Sequence, residues 1–364
     1  MKKLLSSFFI VLILLVIMNI GCSKKSAGKP SAIDTTTKIT TPIPTSLDTI
    51  TAAGRNAGIG SVNAANQLNN PAGIFVDSAG DIYIADYFNC RVQEWIPGAD
   101  SGITVAGGNG AGSAANQLYY PVGLCLDNAG NIYVVDYGNG GRVQKWAPGA
   151  TIGITVAGGN GSGSAANQFS NPKSVWLDAG AYIYVSDGGN YRVQKFPPGS
   201  TSSTNGVTAA GGNGYGTAAN QLSDEVPGLF IDKIGNLYVV DNSNQPRIQK
   251  FPPGSSSATN GITVAGNINL NDTAANVLFD PVDVAVDDSG YMYVSDDGYN
   301  RVQKFPPNST SGTNGVTVAG SSKAIGGSAY NLLQNPTYIF LDAGAKNLYI
   351  SDSYNDRIQK YELK

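Results

Sequence analysis

Residues 71–95 read PAGIFVDSAGDIYIADYFNCRVQEW, and residues 281–305 read PVDVAVDDSGYMYVSDDGYNRVQKF. Both stretches contain the same features in the same order and register. These are a Pro, an apolar run, an Asp-to-Gly turn, a second apolar run ending in Asp, and an Arg-Val-Gln string. The pattern occurs six times in the 364-residue chain, with a period of 50 to 56 residues. The aspartates that end the second run are Asp86, Asp136, Asp187, Asp241, Asp296 and Asp352. Short strands repeated at about this period are typical of propeller blades and not of helical repeats.

Each repeat predicts four antiparallel strands. In the first repeat the strand-length apolar runs lie at 73–77, 82–85, 91–96 and 103–106, and they are bounded by Gly, Asn, Asp or Pro. Six such units predict an all-β fold, a six-bladed β-propeller. The sixth unit ends without its outer strand, whereas residues 50–54 read Ile-Thr-Ala-Ala-Gly near the other end of the chain. We therefore expect the last blade to be closed by this N-terminal strand.

The recurring Asp-x-x-Asn-x-Arg-Val-Gln-Lys-Phe and Thr-Val-Ala-Gly strings resemble NHL repeats, and the resemblance covers residues 46–364. It implies an NHL-like propeller domain over that range. The Trp-Asp and Gly-His marks of WD40 repeats do not recur. Proteins with NHL repeats serve as sensors, as binding platforms and in some cases as enzymes, so the resemblance implies a fold more strongly than an activity.

The N-terminal region predicts a membrane anchor. Two lysines, an apolar stretch over 4–20 and Gly21-Cys22 resemble a bacterial lipoprotein signal peptide over 1–21, with Cys22 as the lipidated residue. Asn19 departs from that pattern, which prefers Leu three residues before the cysteine, and an uncleaved membrane anchor is the alternative. Residues 22–45 are rich in Ser, Thr, Pro and Lys and predict a flexible tether. We expect a monomer held by lipid at the bacterial cell envelope, outside the cytoplasm, with Cys90 and Cys125 unpaired.

A repeated acid and base pair accompanies every blade. Each arginine follows its aspartate by five or six residues across one hairpin, which predicts a structural brace. The twelve residues are Asp86, Arg91, Asp136, Arg142, Asp187, Arg192, Asp241, Arg247, Asp296, Arg301, Asp352 and Arg357. From residue 46 onward the chain holds 17 basic and 25 acidic residues, a net charge of −8. Acidic charge and arginines committed to the scaffold argue against a nucleic-acid partner.

Polar residues that vary between blades near the pore predict a binding site. Lys173, Glu225, Asp283 and Tyr338 are such residues, and a shared axis brings them together. They belong to the face that carries the connections between blades and the loops between second and third strands, which we call the rim face. Tyr87, Tyr137 and Tyr299 lie in those loops and are further candidates for a ligand.

The sequence favours a binding module over an enzyme. It contains no histidine, whereas the propeller enzymes that it resembles, the peptide-amidating lyase and the streptogramin lyase, depend on histidines for metal binding or acid-base chemistry. A lactonase-like enzyme is an alternative, with Ca²⁺ or Mg²⁺ on the axis held by Glu225, Asp283 and either Asn171 or Asn335. An envelope scaffold is another alternative. The preferred interpretation is a module that needs no cofactor and binds a protein, peptide or glycan.

Overall fold

The computed structural model of the protein describes residues 49–54, 64–138, 140–266 and 275–363. The predicted signal peptide over 1–21, Cys22 and the predicted tether over 22–45 lie outside these residues. In the described ranges the only helices are 3-10 helices of three residues. None of the described helices is long and apolar enough to cross a membrane.

Six four-stranded antiparallel sheets form the blades. Blades one to three contain β2 (Pro71–Val76), β3 (Ile82–Asp86), β4 (Arg91–Trp95), β5 (Ile103–Gly107), β6 (Pro121–Leu126), β7 (Ile132–Asp136), β8 (Arg142–Trp146), β9 (Ile154–Gly158), β10 (Pro172–Leu177), β11 (Ile183–Asp187), β12 (Arg192–Phe196) and β13 (Val207–Gly211). Blades four to six contain β14 (Leu229–Ile231), β15 (Leu237–Asp241), β16 (Arg247–Phe251), β17 (Ile262–Ala265), β18 (Pro281–Val286), β19 (Met292–Asp296), β20 (Arg301–Phe305), β21 (Val316–Gly320), β22 (Pro336–Leu341), β23 (Asn347–Asp352), β24 (Arg357–Glu362) and β1 (Thr49–Ala53). The 3-10 helices follow the second strand of four blades, at Tyr87–Asn89, Gly188–Asn190, Asp297–Tyr299 and Ser353–Asn355.

The ring closes as the sequence predicts. Strand β1 pairs antiparallel with β24, so the sixth blade takes its outer strand from the N-terminal side of the domain. The first strands of the blades contact one another in a closed circle, β2 to β6, β10, β14, β18, β22 and back to β2. The predicted six-bladed β-propeller is confirmed, and its six inner strands surround one axis.

A repeated turn makes the first hairpin of each blade. The carboxylate of Asp77 accepts hydrogen bonds from the backbone N–H groups of Ala79 and Asp81, both at 2.9 Å. Gly80 adopts a φ of +92°, which costs a glycine little. The equivalent aspartates accept two backbone N–H groups in each of the other blades. These turns lie on the face opposite the rim face, which we call the turn face.

The core of each blade is fixed by an aromatic residue at the end of its third strand. These side chains are at most 3% exposed, and they are Trp95, Trp146, Phe196, Phe251, Phe305 and Tyr361. A glycine lies against the ring in five blades; a Cβ on Gly102 would lie 2.4 Å from the Trp95 Nε1. Burial of each ring stabilises its blade by about 2–3 kcal/mol, so the repeat carries its own core.

The Asp and Arg pairs join each hairpin to the connection before it. Arg91 donates to the Asp86 carboxylate at 2.7 Å and to the carbonyl oxygen of Ala64 at 2.9 Å. The other oxygen of Asp86 accepts the backbone N–H of Asn69 at 2.7 Å. All six pairs form ion pairs, at 2.7 to 3.2 Å. They are a scaffold feature, present once in every blade.

The two cysteines of the described propeller are free. Cys90 and Cys125 are both buried and are not joined by a disulfide.

Candidate functional site on the propeller axis

The inner strands approach one another closely at one level of the axis. A Cβ on Gly73 would lie 2.5 Å from the carbonyl oxygen of Val122, and one on Gly123 would lie 2.6 Å from that of Lys173. These separations are shorter than carbon and oxygen atoms tolerate, so glycine is required for the close packing. Asp283 and Tyr338 occupy the position of these glycines in the fifth and sixth repeats. They therefore lie at the same level of the axis.

Tyr338 crosses the axis at this level. Its hydroxyl donates to the carbonyl oxygen of Lys173 at 3.0 Å and lies 3.2 Å from that of Pro227. The side chain is 7% exposed, and burial together with the negative charges of Asp283 and Glu225 raises the pKa of Tyr338 well above its ordinary value. The hydroxyl therefore remains a donor, and the ring separates the rim face of the axis from the turn face.

Asp283 is a buried carboxyl next to this barrier. One of its oxygens accepts the backbone N–H of Ile339 at 3.1 Å, and the residue is 7% exposed. Burial raises the pKa of Asp283 to about 7, against the hydrogen bonds from backbone amides that lower it. Across the described residues, no lysine or arginine forms an ion pair with this carboxyl.

Lys173 and Glu225 meet on the rim side of Tyr338. The Lys173 ammonium forms an ion pair and hydrogen bond with the Glu225 carboxylate. Nearby, Asn242 donates to Asp280, whose pKa is raised by burial and by the charge of Glu225. A cavity of about 320 Å³ adjoins Glu225 and Asn242 on this face.

The four varying polar residues are thus split between two environments. Lys173 and Glu225 are partly exposed on the rim face, as the sequence predicts. Asp283 and Tyr338 are buried and do not face water on the rim. The small residues of the neighbouring inner strands leave room for their side chains near the axis. The structure brings Tyr338 to the backbone of Lys173, and it places Asp283 against the sixth blade.

The three predicted aromatic residues fall into separate clusters. Tyr87 stacks on Tyr120, with ring centroids 4.8 Å apart and an interplanar angle of 9°. Tyr137 is 36% exposed, and burial raises the pKa of Tyr87. Tyr299 packs instead on Phe279 at 5.3 Å. The three predicted residues therefore belong to two aromatic patches of the rim face, one in blades one to two and one in blade five.

A second cavity, close to the axis, opens on the turn face. It measures about 700 Å³ and is closed toward the rim face by Tyr338 and Asp283. We call it the axial cavity. Its walls include four aromatic rings that reach across the axis, Phe75, Trp176, Phe230 and Phe340. The centroid separations are 4.7 Å for Phe75 and Phe340, 6.4 Å for Phe75 and Trp176, and 5.0 Å for Trp176 and Phe230.

The charged residues of the axial cavity are mainly acidic. Its lining holds five aspartates and two lysines, namely Asp232, Asp283, Asp287, Asp288, Asp342, Lys233 and Lys250. Lys233 pairs with Asp288 at 2.6 Å, and the Lys250 ammonium lies 5.2 Å from the ring centroid of Tyr238. The cavity therefore combines an aromatic wall, an acidic mouth and one buried carboxyl at its closed end.

Sequence reasoning did not single out the aromatic wall. The column two residues after Gly73 reads Phe75, Cys125, Trp176, Phe230, Ala285 and Phe340. It varies between blades, as the column of Asp283 and Tyr338 does, and four of its six members are aromatic. The enrichment of this column in aromatic residues is the sequence signal that indicates the cavity.

The residues suggested for a metal ion are committed to other contacts. Glu225 is paired with Lys173, and Asp283 accepts a backbone amide on the buried ring. Over the part of the chain that the structure describes, no three acidic or cysteine side chains are arranged to hold a metal ion.

Comparison with known proteins gives the class of the molecule. Residues 68–95 and 118–146 match the family model of the NHL repeat. The protein is a six-bladed β-propeller that contains NHL repeats. No curated protein matches the chain at a significant level.

Solved structures share this fold at low sequence identity. A Bacteroides thetaiotaomicron protein of unknown function is 15% identical, with a TM-score of 0.62 over 87% of this chain and 76% of its own. A gluconolactonase from Xanthomonas campestris is 12% identical, with a TM-score of 0.57 over 82% of this chain and 87% of its own. A streptogramin B lyase is 12% identical, with a TM-score of 0.52 over 83% of this chain and 96% of its own. These similarities establish the propeller fold, which both binding modules and enzymes use.

Proposed function

We propose that the protein is a non-catalytic binding module whose small-molecule ligand occupies the axial cavity. The cavity itself carries the proposal: it has the size of a ligand site, about 700 Å³, and it combines aromatic walls with an acidic mouth. Tyr338 closes one end, so a ligand enters and leaves only from the turn face. The proposed site therefore lies on the turn-face side of Asp283 and Tyr338, whereas the sequence predicts a site on the rim face.

The chemistry of the lining supports binding more than catalysis. The chain has no histidine to act as a general base near neutral pH. Asp283, the one titratable side chain at the closed end besides Tyr338, is held by backbone amides. The hydroxyl of Tyr338 is engaged by two carbonyl oxygens. A nucleophile paired with a base, which a covalent mechanism requires, is absent from the residues that line this cavity.

The proposal includes an anchored location. The signal-like segment that ends at Cys22, followed by a tether, supports a lipid-anchored module at the bacterial cell envelope. Incorporation of a radiolabelled fatty acid into the protein tests this. The Cys22→Ala variant should lose the label while wild type keeps it, and labelling of both or of neither would contradict the anchor.

Tryptophan fluorescence provides a direct test of binding. Trp176 lines the cavity, whereas Trp95 and Trp146 are 3% and 1% exposed within their blades. Phenylalanine stands at their position in blades three to five, so Trp95→Phe with Trp146→Phe is a conservative change that leaves Trp176 as the only tryptophan. This variant should keep the circular dichroism spectrum of wild type.

The probes are three small molecules with one ring each: 2-phenylethylamine, 2-phenylethanol and phenylacetate. Saturable change in Trp176 emission, with slower quenching by acrylamide, is expected for at least one probe. The control adds Ala285→Phe, which introduces a ring into the cavity at a position where other blades carry aromatic residues. It should abolish the change. If no probe gives a saturable signal, or if Ala285→Phe leaves the signal intact, the proposed site is wrong.

A further inference from the structure

The closed end of the axial cavity holds an acidic group without a cationic partner. Asp283 is 7% exposed, it lines the cavity, and its described hydrogen-bond donors are backbone amides. Gly228 in the adjacent blade leaves room for its second oxygen, since a Cβ there would lie 2.6 Å from that atom. A buried carboxylate without a counter-ion is costly, and a ligand that brings positive charge removes the cost.

The walls around this carboxyl also favour a cation. The faces of aromatic rings carry negative electrostatic potential, and Trp176, Phe230 and Phe340 present such rings. Of the two lysines in the lining, Lys233 is already paired with Asp288. Besides Asp283, four aspartates against two lysines give the lining toward the mouth a negative field, which attracts cations and repels anions.

We infer that the ligand of the axial cavity is a small organic cation, an amine that carries an apolar or aromatic group. Its ammonium donates to Asp283, and its apolar part packs against the rings of Trp176 and Phe230. The inference rests on the proposed function, because it names the class of ligand for the same cavity.

A metal ion fits this environment less well than an amine. Calcium and magnesium need six or more oxygen ligands close together, whereas Asp283 is a single carboxyl beside aromatic rings. An ammonium needs only one or two strong acceptors and gains further from the rings. The aspartates of the hairpin turns direct their oxygens to their own backbone, as Asp232 does to the N–H groups of Ile234 and Asn236. They contribute charge and not ligand contacts.

The three probes separate this inference from the proposed function. In the single-tryptophan variant at pH 8, 2-phenylethylamine should bind at least tenfold more tightly than 2-phenylethanol, and phenylacetate should bind most weakly. Adding Asp283→Asn should reduce the affinity for the amine about tenfold or more and leave that for the alcohol within about threefold. Tenfold corresponds to about 1.4 kcal/mol, which one ammonium-carboxylate contact in a partly dry site supplies.

Two further variants serve as controls for the effect of Asp283→Asn. Asp288→Asn removes an equal charge at the exposed mouth and should change amine affinity less than threefold. Asp283→Glu should recover part of the amine binding, since it restores the carboxyl. Equal binding of amine and alcohol, or an Asp283→Asn variant that is folded and binds the amine normally, would overturn the inference while leaving a cavity that binds. Failure of all three probes would instead reject the proposed function.

Discussion

The hydroxyl of Tyr338 in the sixth blade donates to the carbonyl oxygen of Lys173 in the third blade, at 3.0 Å. One side chain thus crosses the propeller axis and links two inner strands that are far apart in the chain. The same ring closes the axial cavity, so the contact that joins the blades also forms the end wall of the proposed site.

Removal of this hydroxyl should weaken the ring of blades. Tyr338→Phe deletes the O–H group that donates to the carbonyl oxygen of Lys173 and lies 3.2 Å from that of Pro227. We expect the free energy of unfolding in urea to fall by about 1–2 kcal/mol. Tyr354→Phe, at a side chain 65% exposed, is the control and should have almost no effect. A Tyr338→Phe variant as stable as the control would show that the contact across the axis does not stabilise the fold.

The braces should be essential to each blade because they are buried. Arg301 and Asp296 have side chains 2% and 0% exposed. Arg301→Met leaves a buried carboxylate unpaired and should lower the free energy of unfolding by about 3–5 kcal/mol. Lys233→Met breaks an ion pair whose side chains are 78% and 58% exposed, and should cost less than about 1 kcal/mol. Similar losses for the two variants would contradict the scaffold role of the braces.

Stability should depend on pH through Asp283. The pKa of this carboxyl is raised from 3.8 to about 7, so between these values the folded state keeps a proton that the unfolded state releases. As the pH rises from about 4 to about 7, the titration of Asp283 therefore lowers the free energy of unfolding by about 4 kcal/mol. Above about pH 7 its effect no longer changes. The nearby groups are Tyr338 from β22, whose pKa lies well above this window, Ser295 from β19, and Gly228 just before β14; the last two do not titrate.

Asp283→Asn tests this dependence by removing the titration. The free energies of unfolding of the variant and of wild type are measured at pH 4.5, 6 and 8. As the pH rises, the variant should become more stable relative to wild type. A difference that does not change with pH would show that the carboxyl titrates near its ordinary pKa.

Divalent metals should leave the stability unchanged. The carboxylates suggested for a lactonase-like site are engaged, Glu225 by Lys173 and Asp283 by the Ile339 amide. The melting temperature is therefore expected to be the same with calcium, magnesium, manganese or EDTA. A rise in calcium that EDTA reverses would favour the metal-dependent alternative and would direct substrate assays to Glu225.

The architecture could be predicted because the residues that build it are repeated. The turn at Asp77, the aromatic at Trp95 and the pair of Asp86 with Arg91 each recur in all six units in equivalent form, so their structural role is visible in the chain alone. Even the closing strand was evident, because the sixth unit lacks what residues 50–54 supply.

The site was less accessible to prediction because it depends on what does not repeat. The column of Tyr338 identified residues near the axis, but sequence does not specify how far a phenol reaches or that it ends on the carbonyl of Lys173. The face of the cavity was also not evident. It depends on Phe75, Trp176 and Phe340 meeting across the axis, which is a consequence of ring closure and not of any single repeat.

A crystal structure of the protein with 2-(4-bromophenyl)ethylamine is the most direct test of the central claim, since the anomalous signal of bromine locates the ligand. The account predicts a bromine peak in the axial cavity beside Trp176 and Phe230, with the ammonium within hydrogen-bonding distance of Asp283. A peak on the rim face beside Lys173 and Glu225, or no peak at a saturating concentration, would contradict it.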